Sequence, residues 1–178
     1  MGEQQGAGSE TARQPALSAA EIKLALQALR SEQNLVAGAL AGLAAALVGA
    51  AIWAIVTALT HYQIGFMAIG VGLLVGFAVR AAGKGIDPVF GVVGAVLALL
   101  GCVLGNLLMV LYFLADKEQM PFLELLSHLD LELVGRVMVA TFDVMDIVFY
   151  GIAMYCGYKY ALRRVTNEQL AVSASKPT

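Results

Sequence analysis

The chain has 178 residues, 60% of them hydrophobic, with a mean hydropathy of +0.79 and a formal net charge of −2. Soluble domains use roughly 45–50% apolar residues, so this composition excludes an ordinary water-soluble fold. The length leaves room for one membrane domain with short tails and not for a second folded domain. The small net charge decides nothing about partners, and no nucleic-acid partner is expected.

Residues 1–17 (MGEQQGAGSETARQPAL) are rich in Gly, Gln and Ser and lack apolar periodicity, which predicts a disordered cytoplasmic tail. No secretory signal is expected, because residues 1–33 are polar and carry Glu3, Glu10, Glu21 and Glu32. Ser18-Ala-Ala-Glu21 has capping-box form, in which hydroxyl and carboxylate each satisfy one orphan N–H. Ile22, Leu26 and Leu29 follow at helical spacing, with Lys23 and Arg30 on other sides. That pattern predicts an amphipathic helix over 18–33, lying on the cytoplasmic face or extending the first span.

A helix crosses the hydrocarbon core in about 20 residues, and 35–59 runs for that length without one charge. In this first span Gly38, Gly42, Ala45 and Gly49 recur at helical intervals on one face. Small residues there let a neighbouring backbone approach closely, and such packing drives helix association in lipid. Trp53, near the far end, reads as an interfacial anchor. Thr60-His61 is a very short turn, so the second span, 62–80, is an antiparallel neighbour.

The second span carries Gly65, Ala68, Gly72 and Gly76 on one face, the last two forming a GxxxG. Arg80 and Lys84 end it, and Gly83 and Gly85 offer positive-φ positions for the helix stop. Asp87-Pro88 then supplies an N-cap and a proline at the first helical position. The third span, 88–114, repeats the small-residue device with Gly91, Gly94, Ala98, Gly101 and Gly105. The expected packing residues are Gly38, Gly42, Gly49, Gly72, Gly76, Gly94, Gly101 and Gly105.

Segment 116–142 mixes apolar and charged residues at helical spacing, which fits one or two amphipathic surface helices better than another crossing. The fourth span is 144–162, and 163–178 form a short polar tail. With the N-terminus inside, the cytoplasm receives Arg13, Lys23, Arg30, Arg80, Lys84, Lys159, Arg163, Arg164 and Lys176. Only Lys117 and Arg136 stay outside, a strong positive-inside bias. The expected fold is therefore all-α and polytopic: four transmembrane helices in up-down-up-down order, with both ends cytoplasmic.

The hairpin YQIGFMAIGVGLLVGFAVR–GKGIDPVFGVVGAVLALLGCVLGN resembles the signature of a family of small, uncharacterised bacterial membrane proteins. FDVMDIVFYGIAMYCGYKYALRR is similar to that family's closing span, so the resemblance covers roughly residues 30–165. It implies a bacterial cytoplasmic (inner) membrane location. No activity and no functional residues come with it.

Chemistry-bearing motifs are few. Gly70-x-Gly72-x-x-x-Gly76 lies inside a spanning run without strand–turn–helix context, and Gly83-Lys84 lacks the rest of a Walker A. His128, Asp130 and Glu132 could supply metal ligands, with His61, but their spacing does not converge on a helix, so no metal is expected. Cys102 and Cys156 form no CxxC and read as small buried hydrophobes. No cofactor is expected either.

Asp143 and Asp146 sit three apart at the start of the fourth span, where they cap a helix terminus or handle ions. Asn106 is the deepest strongly polar side chain and reads as an inter-helix hydrogen-bonding group. Arg80, Lys84, Arg163 and Arg164 read as topology anchors that also meet lipid headgroups. The leading expectation is a non-enzymatic membrane scaffold or accessory subunit, assembling with copies of itself or with a partner membrane protein. The alternative is a homo-oligomeric channel or transporter for an ion or small solute.

Overall fold

The computed structural model describes residues 18–61, 65–127 and 130–174. The expected disordered tail over 1–17, the start of the second span at Tyr62, and His128 lie outside the described residues. Every described element is helical: α1 Ala19–Ser31, α2 Leu35–Thr60, α3 Phe66–Gly83, α4 Pro88–Lys117, α5 Phe122–Ser127, α6 Leu131–Thr141, α7 Val144–Ala161 and α8 Asn167–Ala174. Among them α2, α3 and α4 are long and apolar enough to cross a membrane. A fourth crossing arises only if Val134–Ala140 and Val144–Ala161, bent by 104°, count as one span.

At 1.5 Å per residue, α2 and α4 are about 39 and 45 Å long, while α3 and α7 reach about 27 Å. The hydrocarbon core is about 30 Å thick, so the bundle pairs two long helices with two short ones. α3 and α4 touch each other and both touch α2 and α7, so α2 and α7 flank a central pair. The levels of their contacts give directions. Gly38 meets Gly83, Gly42 meets Val79 and Gly49 meets Val71, so α2 and α3 run antiparallel. Gly94 meets Ala161 and Gly157 meets Ala98, so α4 and α7 do too.

One end of the bundle gathers α1, the α3–α4 turn and α8; we term it the tail end. Ser18 Oγ accepts from the Glu21 N–H at 3.3 Å, and Glu21 Oε2 accepts from the Ser18 N–H at 2.7 Å. The Ser18 hydroxyl also donates to Glu21 Oε2 at 2.7 Å, and this bond, followed by the one from the Ser18 N–H, holds the Glu21 carboxyl below its ordinary value. Asn34 starts α2, its Oδ1 accepting from the Ala37 N–H at 2.9 Å, while its own N–H donates to Gly83 O at 3.0 Å. The Gln33 side chain clamps the α3–α4 turn, donating to Asp87 Oδ2 at 2.9 Å and accepting from the Ile86 N–H at 3.2 Å. Arg30 adds an ion pair to Asp87 at 3.2 Å, and the Arg163 N–H donates to Gly85 O at 2.8 Å.

Several sequence expectations change here. Asp87 is the N-cap of α4, with Pro88 following, but its side chain makes no capping bond because it is spent on Arg30 and Gln33. Neither Gly83 nor Gly85 adopts positive φ; Lys84 does, at φ 49°. The two glycines serve close approach instead. A Cβ on Gly83 would lie 3.1 Å from Gly38 Cα, and one on Gly85 would fall within the Phe90 ring. α3 accordingly runs on through Arg80 to Gly83, past the expected end at 80. The tail over 163–178 contains α8, which packs on α1, whose Ala25 and Leu29 are buried.

At the other end, the loop end, α4 continues to Lys117, and Gln119 turns the chain with φ 54°. Leu125 of α5 then packs on Leu111 and Ala115 of α4, a small second core. α6 also rests on α4. It carries the i,i+4 pair Glu132–Arg136 and exposes Val139.

Candidate functional site

The bundle holds two kinds of interior. Toward the tail end, glycines bring backbones together. A Cβ on Gly72 would collide with the backbone of Ala153, and one on Gly76 would lie 2.9 Å from Tyr160 Cβ. Gly94 and Gly157 each face the other's carbonyl oxygen, so neither could carry a side chain. Gly42 meets Val79 and Leu97, and Gly49 stands 3.2 Å from Val71 Cγ2. Gly101, which a Cβ would place 2.7 Å from Val71 Cγ1 and 3.3 Å from Ala46 Cα, completes the three-helix junction. All eight glycines singled out in the sequence thus face neighbours within one chain. Gly70 and Gly151, by contrast, meet nothing within 4 Å.

Toward the loop end the interior becomes aromatic and polar. Trp53 is not an interfacial anchor; it is 3% exposed, because its ring lies where Gly105 leaves room, 2.8 Å from a Cβ built there. Thr57 follows one turn later on the same stripe of α2, and Asn106 follows Gly105 on α4; both are 1% exposed. Tyr150 of α7 is 6% exposed. Its hydroxyl neighbours the Asn106 amide, and Asp146 lies one turn earlier on the same helix.

Among the described residues, Trp53 Nε1 and Thr57 Oγ1 meet no hydrogen-bond partner, and the Asn106 amide and Tyr150 hydroxyl neighbour each other without good hydrogen-bond geometry. Thr60 Oγ1, by comparison, donates to Val56 O at 2.7 Å, the usual resting place of a helical hydroxyl. Leaving a buried polar group unpaired costs about 1–3 kcal/mol, and in hydrocarbon there is no solvent to relieve it. Below this cluster Cys102 Sγ lies 3.7 Å from Ala68 O.

The remaining candidates resolve into local roles. Asp143 is the N-cap of α7, and the Asp146 carboxylate accepts from the Asp143 N–H at 3.0 Å, one half of a capping box. The anion at this terminus suits the helix dipole. Arg80 lies half-buried in the last turn of α3, Lys84 and Arg164 are exposed, and the Arg163 guanidinium lies 4.0 Å from Glu32. Among the described residues no three His, Cys, Asp or Glu side chains cluster to hold a metal ion.

Sequence reasoning singled out Asn106 but not the company it keeps. Tyr150 joins it only because α4 and α7, distant in sequence, pack side by side, and Thr57 is buried on α2, which packs on the other flank of the central pair. The available signal was that each lies on the small-residue stripe of its own helix, Thr57 in register with Gly49 and Trp53, Tyr150 with Ala153 and Gly157. No protein-family model, curated protein or solved structure matches the chain.

Proposed function

We propose that this protein is a four-span bacterial inner-membrane scaffold or accessory subunit, non-enzymatic, running up-down-up-down with both ends in the cytoplasm. The carrying observation is the seating of α7: its Ala153, Cys156 and Gly157 backbone meets Gly72, Gly76 and Gly94 directly. Backbone-to-backbone seating of this kind supports placing α7 in the membrane beside α2, α3 and α4. The cations support the sidedness, since Arg80, Lys84, Arg163 and Arg164 gather at the tail end. There they would meet anionic headgroups. The kinship read from the hairpin signature belongs to the same proposal.

A bundle locked in this way presents a fixed exterior. Leu40, Leu47, Ile55, Phe66, Phe77 and Val96 face outward for lipid or a partner. Because the glycine seams are used within the chain, copies would meet through other faces, such as those around Gly70 and Gly151. The test is extraction of the tagged protein into native nanodiscs followed by mass spectrometry. A stoichiometric foreign membrane protein supports the accessory role, and a monomer with lipid alone overturns it.

A second reading, a homo-oligomeric channel or transporter, is favoured by the buried polar side chains Asn106 and Tyr150, the latter one turn from Asp146. A ring of identical copies in the same experiment would favour it. Flux into proteoliposomes that Asp146→Asn abolishes would support it further, and flux at background would remove it.

A further inference from the structure

We propose that the tail end of the α3–α7 pair is a binding site for an anionic phospholipid, its phosphate held among Arg80, Lys84 and Arg164 and an acyl chain laid over Phe77. This site deepens the scaffold reading and rests on one part of it, α7 in the membrane with the tail end cytoplasmic.

α3 and α7 lie parallel, since Gly72 meets Ala153 while Gly76 meets Cys156, Gly157 and Tyr160. At that level the Phe77 and Tyr160 rings pack with centroids 5.1 Å apart, and Phe77 stays half exposed. The next turn along brings cations, Arg80 on α3 and Arg163-Arg164 just past α7. Two backbone bonds tie the corner together. Lys84 donates its N–H to Arg80 O at 3.0 Å, and Arg163 donates its N–H to Gly85 O at 2.8 Å. Two helix ends and one turn thus bring these cationic residues side by side.

Their charge is poorly compensated. Asp87 is engaged by Arg30 and Gln33, and Glu32 stands 4.0 Å from Arg163. Among the described residues the side chains of Arg80, Lys84 and Arg164 join no ion pair. Like charges gathered in this way repel, and an anion relieves them. An arginine fork matches two phosphate oxygens, and lysine adds a point charge. Soluble phosphate would use the cations but not the exposed ring beneath them, whereas a phospholipid uses both. A zwitterionic headgroup carries its own cation and gains less. Residues 147–158, the uncharged stretch of α7, span about 18 Å, against a hydrocarbon core of about 30 Å. Bilayer beside a short span thins, which brings phosphates down to this corner.

The full chain in mild detergent would be incubated separately with phosphatidylglycerol, phosphatidylcholine and inorganic phosphate, and its adducts followed by native mass spectrometry. The expected result is a saturable phosphatidylglycerol adduct that phosphatidylcholine does not give. Its apparent Kd should rise about fivefold in Arg164→Gln and about fivefold in Arg80→Gln. Lys117→Gln, at the loop end, should leave it unchanged. Equal adducts from both lipids, displacement of the lipid by equimolar inorganic phosphate, or an unaltered Kd in Arg164→Gln overturns the proposal. Arg164 is exposed, so its variant remains decisive if Arg80→Gln fails to fold.

The sidedness on which the site rests is read separately. In spheroplasts an impermeant maleimide should label Ser31→Cys, at the exposed end of α1, above the parent chain only after the membrane is opened. Labelling of intact spheroplasts overturns the topology. A missing adduct with that labelling pattern intact overturns the lipid site alone.

Discussion

The two halves of the bundle interior solve the same packing problem in opposite ways. Toward the tail end, Gly38, Gly72, Gly94 and Gly157 let backbone lie on backbone, and no side chain intervenes. Toward the loop end, Trp53, Asn106 and Tyr150 fill the space between helices, and their polar atoms make no well-formed hydrogen bond among the described residues. The tail end is built for fixed geometry. The loop end gives up stability to keep polar groups inside, as functional sites commonly do.

The largest expected effect breaks the first half. Gly72→Leu or Gly94→Leu drives a side chain into opposing backbone that cannot yield, a cost of more than about 3 kcal/mol. Neither variant should give a folded monomer by native gel or by thermal denaturation in detergent. Gly70→Leu and Gly151→Leu, at open positions, should stay within about 0.5 kcal/mol of the parent. Equal damage at all four sites would erase the distinction between seam and surface.

The second half should respond with the opposite sign. Asn106→Leu removes a buried amide that finds no well-formed hydrogen bond among the described residues, so in detergent it should raise stability by about 1–2 kcal/mol. A large loss on denaturation would mean that the amide is satisfied in the folded protein.

Smaller effects concern the clamp over the tail end. Asp87→Ala removes the acceptor shared by Gln33 and Arg30. With these groups partly exposed, a loss of about 1 kcal/mol is expected, read as faster proteolysis within α1 while α2–α4 stay protected. Smallest of all is the pH response of Glu21. Its folded-state pKa lies below the ordinary 4.5, so the capping box contributes fully above that value. The contribution is lost as pH falls through the lower folded value, and helicity at the start of α1 should fray over that acidic range only.

This contrast also marks what the sequence discloses. Glycines at intervals of three and four define a face without reference to any partner, so the stripes on α2, α3 and α4 were readable one helix at a time. The partner of each stripe was not, because Gly72 meeting Ala153 is a long-range fact. Trp53 was misread because a tryptophan near a helix end has the same spacing whether it faces headgroups or a glycine on the next helix. Lys84 was missed as the left-handed residue because two glycines beside it looked better suited. Both were already committed to close contacts with Gly38 and Phe90.

The turn between α3 and α4 also has a consequence for the order of synthesis. Gly83 receives its hydrogen bond from Asn34, already made when the turn emerges, but Gly85 receives its bond from Arg163. Nearly eighty residues separate donor from acceptor, so the turn stays open on one side until α7 has left the ribosome. Completion of α7 is then what seals a turn made much earlier, and a chain cut short before residue 163 would carry that turn permanently unsealed.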